Sequence, residues 1–268
     1  MKQRTKSGRP ATSPLVPLPL VDEIADDLKR VGVRAGGVLL VHSSLSSMGH
    51  VPGGAETVIQ GLLEALGPEG TLLMPALSYE HVSAKQPYFD VRRTPSNIGA
   101  IPETFRRRAG TRRSMHPTHS VCAVGRRTAE LLRGHELDTT PCGTQSPFHK
   151  LPNVRGQILM LGCGLLPNTS MHAIEEIVVP PYLFSDPRTY VLVDEEGRSR
   201  EVVHTPHGFD GWRQRYDRVA QVLAEPGLRE GTVLKAGVHL IEARALWAGA
   251  LEALRGDELF FVERGSHD

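Results

Sequence analysis

The chain has 268 residues, enough for one large domain or two small ones with a substantial core. Hydrophobic residues make up 40% of it and charged residues 23%, which excludes collagen-like, coiled-coil and wholly disordered proteins. The 31 basic and 30 acidic residues give a formal net charge of +1, so no overall field attracts nucleic acid or an anionic membrane. Of the basic residues 25 are Arg, which suits bidentate contacts to anions, and the 12 His can act as bases near neutral pH.

The N-terminal segment and the cysteines indicate where the protein works. Residues 1–19 predict a flexible, Pro-rich lead, because prolines interrupt every apolar run that could form the core of a signal peptide. No stretch approaches the ~20 apolar residues of a membrane span. Cys122, Cys142 and Cys163 form no closely spaced pair, which argues against a zinc ribbon or a disulfide scaffold. We therefore expect a cytoplasmic protein with no membrane and no nucleic-acid partner.

Alternating strand and helix patterns predict a single α/β domain over residues 20–268. Apolar residues recur at helical spacing from Leu20. Continuous apolar β formers at 38–41 and 71–75 are typical of strands buried on both faces, and a helix over 55–66 joins them. This strand–loop–helix–strand unit is characteristic of α/β folds.

Residues 76–96 are polar and predict a long loop, a feature that is usually functional or mobile in a compact domain. The last third, 183–268, is expected to form a portion built of a hairpin and helices. The remaining predicted elements are helices over 100–108, 128–133, 169–177, 211–223 and 241–254, strands over 120–124, 157–161 and 258–262, and a hairpin over 190–203.

Side chains that could do chemistry follow several of the predicted strands, where α/β folds place their crevices. His42, Ser43 and Ser44 follow the first strand, and their hydroxyls could face a ligand or satisfy backbone groups in a turn. No G-x-S-x-G elbow surrounds either serine, so the serine-hydrolase reading is weak. Residues 112–119 combine Arg, hydroxyl and His side chains, which suits a phosphate-bearing ligand, although a solvated basic loop explains them equally.

A short predicted helix carries His172, Glu175 and Glu176. Residues three and four apart on a helix are neighbours, so either carboxylate can reach the imidazole. The helix dipole disfavours the imidazolium form near the N-terminus, and a carboxylate orients the ring and stabilises the cation that follows proton capture. The pattern indicates a general base, with ordinary acidic residues of a first helical turn as the alternative.

Two His-x-x-His pairs, His116 with His119 and His204 with His207, raise the question of a metal. Both pairs lie in Pro-containing loops with no recognisable third ligand, so we expect no metal site.

Six segments follow one another in a characteristic order: HSSLSSMG at 42–49, VPGGAETVI at 51–59, LGPEGTLLMP at 66–75, TPSNIG at 94–99, RRSMHPTHSV at 112–121 and NTSMHAIEE at 168–176. Together they closely resemble the aminoglycoside 3-N-acetyltransferase family, which is distinct from the GNAT fold. The resemblance runs from about residue 20 to 182 and more loosely to the C-terminus.

The resemblance implies a layered α/β/α fold with a mixed central sheet and an enzyme that uses acetyl-CoA. Such enzymes acetylate the 3-amino group of the deoxystreptamine ring of aminoglycoside antibiotics and confer resistance. Their base is the histidine of a T-x-x-H-x-x-E motif, met here by Thr169, His172 and Glu175, which favours Glu175 over Glu176 as the partner carboxylate. His42 would border the thioester. Direct transfer needs no protein nucleophile, which leaves the cysteines as core residues.

The resemblance also assigns binding residues. Those expected to bind acetyl-CoA are Ser43, Ser44, Leu45, Ser47, Met48, Gly49, Arg113, Ser114, Met115, His116, Pro117 and His119. A cationic acceptor should meet carboxylates and aromatic side chains, and the candidates are Tyr79, Glu80, Asp90 and Asp210.

Several alternatives stay open at this point. The segment around Asp210 holds two histidines and one aspartate where aminoglycoside-modifying relatives look more acidic, so the acceptor could be a different amine, such as a natural-product intermediate. A CoA-binding module without catalysis is a further alternative, and nucleic-acid binding through the Arg-rich segments is a distant one. The sequence is compatible with a monomer or a homodimer.

Overall fold

The structure, a computed structural model, describes residues 16–265, along which strands and helices alternate. The helices are α1 (Leu18–Val31), α2 (Ala55–Leu66), α3 (Ala100–Arg107), α4 (Thr128–Leu132), α5 (Pro147–Lys150), α6 (Ser170–Val178), α7 (Val219–Val222) and α8 (Ala243–Gly256). The strands are β1 (Val38–Ser43), β2 (Thr71–Pro75), β3 (Tyr88–Asp90), β4 (Arg112–Arg113), β5 (Val121–Gly125), β6 (Gln157–Leu161), β7 (Arg188–Val193), β8 (Ser199–His204), β9 (Trp212–Gln214), β10 (Leu228–Val233), β11 (Ala236–Glu242) and β12 (Val262–Arg264).

A seven-stranded mixed sheet has the order β10-β11-β6-β1-β2-β5-β4. The central strand β1 is parallel to β2 and to β6, with His42 opposite Met160. Antiparallel strands extend the sheet on both sides, β11 next to β6 and β5 next to β2. The carboxyl ends of three parallel strands therefore meet at one edge, and residues that follow them can converge.

Hydrophobic clusters cover both faces of this sheet. Leu39 of β1 packs in one cluster with side chains from α1 and α2, whereas Leu40 packs in the other with side chains from α6 and α8. Successive residues of a strand point to opposite faces, so an uninterrupted apolar run is what a doubly covered strand requires. The layered α/β/α fold with a mixed sheet is confirmed.

Two smaller sheets depart from the sequence prediction. Within the predicted loop 76–96, β3 forms and pairs in parallel with β7 in the sheet β3-β7-β8. The helix predicted over 211–223 is wrong: β9 pairs with β12 there, and α7 is a single turn. The β10–β11 hairpin was not predicted, and it occupies residues up to Glu242, so α8 begins at Ala243.

The N-terminal prediction falls partly outside the described residues. Residues 1–15 lie there, while α1 begins at Leu18, inside the segment expected to be flexible. No helix between residues 16 and 265 combines the length and the apolar composition needed to cross a membrane.

Candidate active site

A cavity of about 670 Å³ opens where the parallel strands end. Ser43 at the end of β1, Leu77 after β2 and Cys163 after β6 contribute to its wall. His172 of α6 and Tyr216 face the same space. The cavity therefore sits in the position that α/β folds use for ligands, and it contains the predicted base.

A second cavity of about 660 Å³ adjoins the first, because Ser43 and Ile98 line both. Its wall contains Ser44, Gly49 and the first residues of α3. The side chain of Lys235 lies against Gly49, whose φ of +79° suits only glycine. We call the two spaces the histidine cavity and the serine cavity.

A buried carboxylate contacts the His172 imidazole and orients it. Its Nδ1 lies 3.2 Å from Oε2 of Glu175, a side chain with no solvent exposure. Glu175 also accepts hydrogen bonds from the hydroxyls of Tyr216, at 2.7 Å, and Tyr182, at 2.9 Å. The i to i+3 spacing on α6 brings His172 and Glu175 together, as predicted, and the two tyrosines complete the carboxylate's hydrogen bonds.

The hydrogen bonds select one tautomer of His172. Burial, reinforced by Glu175, raises the pKa of both Tyr182 and Tyr216, so both phenols keep their protons and donate to Glu175. The Tyr216 oxygen is also 2.9 Å from His172 Nδ1. Because the phenol proton is directed at Glu175, both neighbours of Nδ1 are acceptors, and Nδ1 carries the imidazole proton. The lone pair then resides on Nε2, as a base requires.

Glu176 belongs to a different pair. Its Oε1 accepts from His207 Nε2 at 2.8 Å and from the backbone N–H of Cys142 at 2.7 Å. Its other oxygen accepts from the hydroxyl of Thr140. Burial raises the pKa of Glu176, whereas burial and the neighbouring His172 lower that of His207 well below its ordinary value. The choice of Glu175 as the partner of His172 agrees with this geometry.

Histidines surround the site beyond these pairs. The His119 ring lies 5.5 Å from His207 and 5.9 Å from His172, measured between centroids. His116 stacks on His135 at 5.0 Å and contacts His204 at 4.9 Å. Burial lowers the pKa of all four outer rings, to about 3 for His135 and about 4 for His204. These rings are therefore neutral at pH 7 and do not repel a cation bound in the cavity.

His42 and Ser43 reach the cavity from the last two positions of β1, so the first strand is two residues longer than predicted. Burial, with a contribution from His172, lowers the pKa of His42 to about 3. His42 Nε2 and the Ser43 hydroxyl are both buried without a hydrogen-bond partner among the described residues. Unpaired polar atoms beside a cavity are available to a ligand. The backbone N–H of Ser44, by contrast, is already bonded to the carbonyl of Leu161.

The other residues expected to bind CoA divide into two groups. Leu45 and Gly49 line the serine cavity with Ser44, while His119 lines the histidine cavity. Ser47 donates to the carbonyl of Gly162 at 2.6 Å, and Met48 is buried in the core. The last two therefore support the loop and do not line either cavity.

Arg113 is occupied within the protein. Its guanidinium donates to the carbonyls of Ala76 and Thr94 and to the hydroxyl of Ser120, and it lies 4.8 Å from the centre of the Phe89 ring. All three of its nitrogens have partners within the protein, so the guanidinium is largely committed to structural contacts, contrary to the expectation from sequence.

The neighbours of Arg113 in the sequence also have structural partners. The Ser114 hydroxyl bonds to His135 Nδ1 at 2.8 Å, and Met115 packs against the cluster around β3 and β7. His116 Nδ1 accepts from the backbone N–H of His119 at 2.9 Å, and the carbonyl of Pro117 accepts from Ser78. The segment shapes the wall behind the histidine cavity.

The residues expected to bind the acceptor are not gathered into one surface. Tyr79 lines the histidine cavity, and the exposed Glu80 follows it. Asp90 is buried and accepts from the backbone N–H groups of residues 92 and 93, so it stabilises a turn. Asp210 is exposed and follows Phe209, which lines the cavity. Within residues 16–265, no Asp or Glu lines the histidine cavity itself.

Sequence reasoning missed Tyr182, Tyr216 and Lys235, which no local motif marks, and took Cys163 for a core residue. Cys163 is half-buried and lines the histidine cavity, but burial raises the pKa of its thiol to about 11. A thiol that stays protonated is a poor nucleophile, in agreement with direct transfer.

The comparisons with known proteins point in one direction. The family model described as aminoglycoside 3-N-acetyltransferase matches residues 40–255. Aminoglycoside N(3)-acetyltransferase IV from a Salmonella species is 33% identical over 243 residues, with 90% of this chain and 89% of the relative covered.

Solved structures agree with the sequence relatives. Aminoglycoside acetyltransferase AAC(3)-IVa in complex with gentamicin superposes with a TM-score of 0.78 at 31% identity, covering 89% of each chain. AAC-IIIb in a binary complex with CoASH gives a TM-score of 0.78 at 25% identity, with 92% of this chain and 98% of that chain covered.

Proposed function

Because the chain belongs to the aminoglycoside 3-N-acetyltransferase family, we propose that it transfers the acetyl group of acetyl-CoA to the 3-amino group of an aminoglycoside, in a ternary complex and with His172 as general base. The observation that carries the proposal is the chain of contacts from Glu175 to His172 at the wall of the histidine cavity. A neutral imidazole oriented by a carboxylate is what removal of a proton from an ammonium group requires.

The transfer uses groups already in place. His172 Nε2 takes one proton from the acceptor ammonium group, and the lone pair that this frees on the nitrogen attacks the thioester carbonyl carbon. The negative charge that develops on the carbonyl oxygen is stabilised by the Ser43 hydroxyl, whose oxygen is buried without a partner among the described residues. The C–S bond then breaks, and the sulfur leaves as the CoA thiolate and takes up the second proton that the acceptor nitrogen loses as the amide forms. Glu175 stabilises the imidazolium that persists until product release.

Acetyl-CoA is proposed to occupy the serine cavity, with its thioester at the junction marked by Ser43. Three features favour an anionic, elongated ligand there: the hydroxyls of Ser44 and Ser46, the N-terminus of α3, which has no side-chain cap among the described residues, and the side chain of Lys235 beside Gly49. The reaction is placed in the cytoplasm, where the three free cysteines stay reduced.

The acceptor is proposed to enter the histidine cavity, which Tyr79 and Phe209 line, and to meet the exposed carboxylates Glu80 and Asp210 that follow these two residues in sequence. One observation favours a second candidate acceptor. Since no carboxylate within the described residues lines the cavity, an amine of lower charge than an aminoglycoside would be bound without an electrostatic penalty.

The test is acetyl transfer to a panel of aminoglycosides, followed by mass spectrometry and by NMR to locate the acetyl group. We expect mono-acetylation at the 3-amine and loss of turnover in His172→Ala. Full turnover by that variant would overturn the role of His172. CoA binding without turnover of any aminoglycoside would favour the second acceptor class, and CoA binding with no amine acetylated would favour the module without catalysis.

A further inference from the structure

The histidine cavity brings together one member of each His-x-x-His pair and the proposed base. One ring nitrogen from each of His119, His172 and His207 lies within 4.8 Å of the other two. The three side chains come from separate segments, so neither pair alone reveals the cluster. The third ligand that the sequence did not show is His172.

In each ring one of the two nitrogens already has a hydrogen-bond partner. His119 Nδ1 is 2.9 Å from the Thr118 hydroxyl, and His207 Nε2 donates to Glu176 at 2.8 Å. His172 Nδ1 is bonded to Glu175. When His119 Nδ1–H donates to the Thr118 hydroxyl, lone pairs remain on His119 Nε2, His172 Nε2 and His207 Nδ1, and the last atom is buried with no hydrogen-bond partner among the described residues.

We propose that His119, His172 and His207 form a binding site for a divalent transition-metal ion, zinc above all, and that occupation of this site blocks acetyl transfer. Zinc takes three imidazole ligands at about 2.0–2.1 Å in tetrahedral geometry, which places the nitrogens about 3.4 Å apart. The distances between the three ring nitrogens must therefore shorten by about an ångström or more, through rotations about the side-chain torsions. The fourth position is left to solvent, which the cavity admits.

The groups behind the ligands also suit a metal. Histidines that bind zinc usually donate their second ring nitrogen to a carboxylate or another oxygen, which fixes the ring and strengthens the ligand. Glu175 serves His172 in this way and Glu176 serves His207. Two buried carboxylates also compensate part of the charge of a divalent cation. A metal on His172 Nε2 occupies the lone pair that would accept the proton, so metal binding and catalysis exclude each other.

The test begins with binding. The purified full chain is titrated with Co²⁺ as a spectroscopic substitute and with Zn²⁺ against a chromophoric chelator. We expect one ion per chain and the intense visible absorption of tetrahedral Co²⁺, displaced by Zn²⁺. The variants His119→Asn and His207→Asn should each weaken Zn²⁺ binding by about 100-fold or more, and Glu176→Gln by about 10–100-fold. His50→Asn, at an exposed position, is the matched control and should bind like the original chain.

Two results would overturn the site: a weak octahedral Co²⁺ spectrum of the unaltered chain, or unchanged Zn²⁺ affinity in the double variant His119→Asn/His207→Asn. Circular dichroism confirms that each variant is folded. Inhibition is measured separately, as acetylated product formed with and without Zn²⁺ and after EDTA. Metal binding is measured without turnover, so failure of the proposed function leaves this test intact.

Discussion

Replacing Glu175 by Gln tests the proposed catalytic centre most directly. The substitution keeps the shape of a fully buried side chain but removes the charge 3.2 Å from His172 Nδ1. With an effective dielectric constant of about 20, a carboxylate and an imidazolium at this separation attract each other by about 5 kcal/mol. If about half of the imidazolium charge has formed in the transition state, loss of the carboxylate raises the activation barrier by about 2.5 kcal/mol. If the full charge has formed, the barrier rises by about 5 kcal/mol. We therefore expect kcat/KM to fall between about 50-fold and 5,000-fold.

The matched control is Glu176→Gln, the neighbouring buried carboxylate that bonds to His207. Because Glu176 does not contact His172, its variant should lose less than about tenfold in kcat/KM. The assay is the initial rate of product formation at several acetyl-CoA concentrations, with melting temperatures recorded for both variants. Equal losses in the two variants, or a Glu175→Gln enzyme within threefold of the original, would refute the assignment of Glu175.

Three further predictions follow from the contacts of single side chains. Arg113→Lys should lower the free energy of unfolding by about 2–4 kcal/mol, because one ammonium group cannot replace a guanidinium bound to buried carbonyls. The KM for acetyl-CoA should change by less than about threefold. A large rise in KM with unchanged stability in chemical denaturation would support the phosphate-binding role instead. Ser43→Ala should lower kcat by about 10²–10³ if its hydroxyl binds the developing oxyanion, whereas Ser44→Ala should not, and steady-state kinetics distinguish the two. Burial raises the pKa of Asp138 to about 6, so ionisation of this carboxyl costs more in the folded than in the unfolded protein, and the cost grows from about pH 4 to pH 6. Asp138→Asn should therefore melt higher than the original chain at pH 8 and lose that advantage at pH 4.5; the same difference in melting temperature at both pH values would contradict the sign.

The central part of the fold was predictable because short local sequence patterns determine its strands and helices. Two strands buried on both faces need continuous apolar residues, and the strands at 71–75 and 157–161 have the predicted boundaries. The C-terminal third was less predictable. The mostly apolar residues 219–223 suit a helix, but β9 forms just before them because β12, about 50 residues away, pairs with it. Pairing over such distances overrides local propensity.

The residues of the site also divide into those that a local pattern predicts and those that it does not. His172 and Glu175 were predictable because helical spacing alone brings them together. Tyr216 contacts both from 44 residues further along the chain, where no local pattern indicates it. Arg112 and Arg113 occupy the two positions of β4, so one side chain is exposed and the other buried. A run of basic residues does not show which of its members turns inward, so the assignment of Arg113 to CoA rested on the family resemblance alone.

The buried guanidinium of Arg113 has a consequence for how new substrates could be accepted. It joins carbonyls near both ends of residues 76–96, at Ala76 and Thr94, to the hydroxyl of Ser120. Lifting this segment would take the carbonyl partners away from a buried cation, at a cost of several kcal/mol. Both ends of the segment that carries Tyr79 are thus anchored, which favours a fixed rim over a moving lid. A broader resistance spectrum would then arise through single replacements of rim side chains, each changing the opening by the volume of one residue, and not through mutations that loosen the loop.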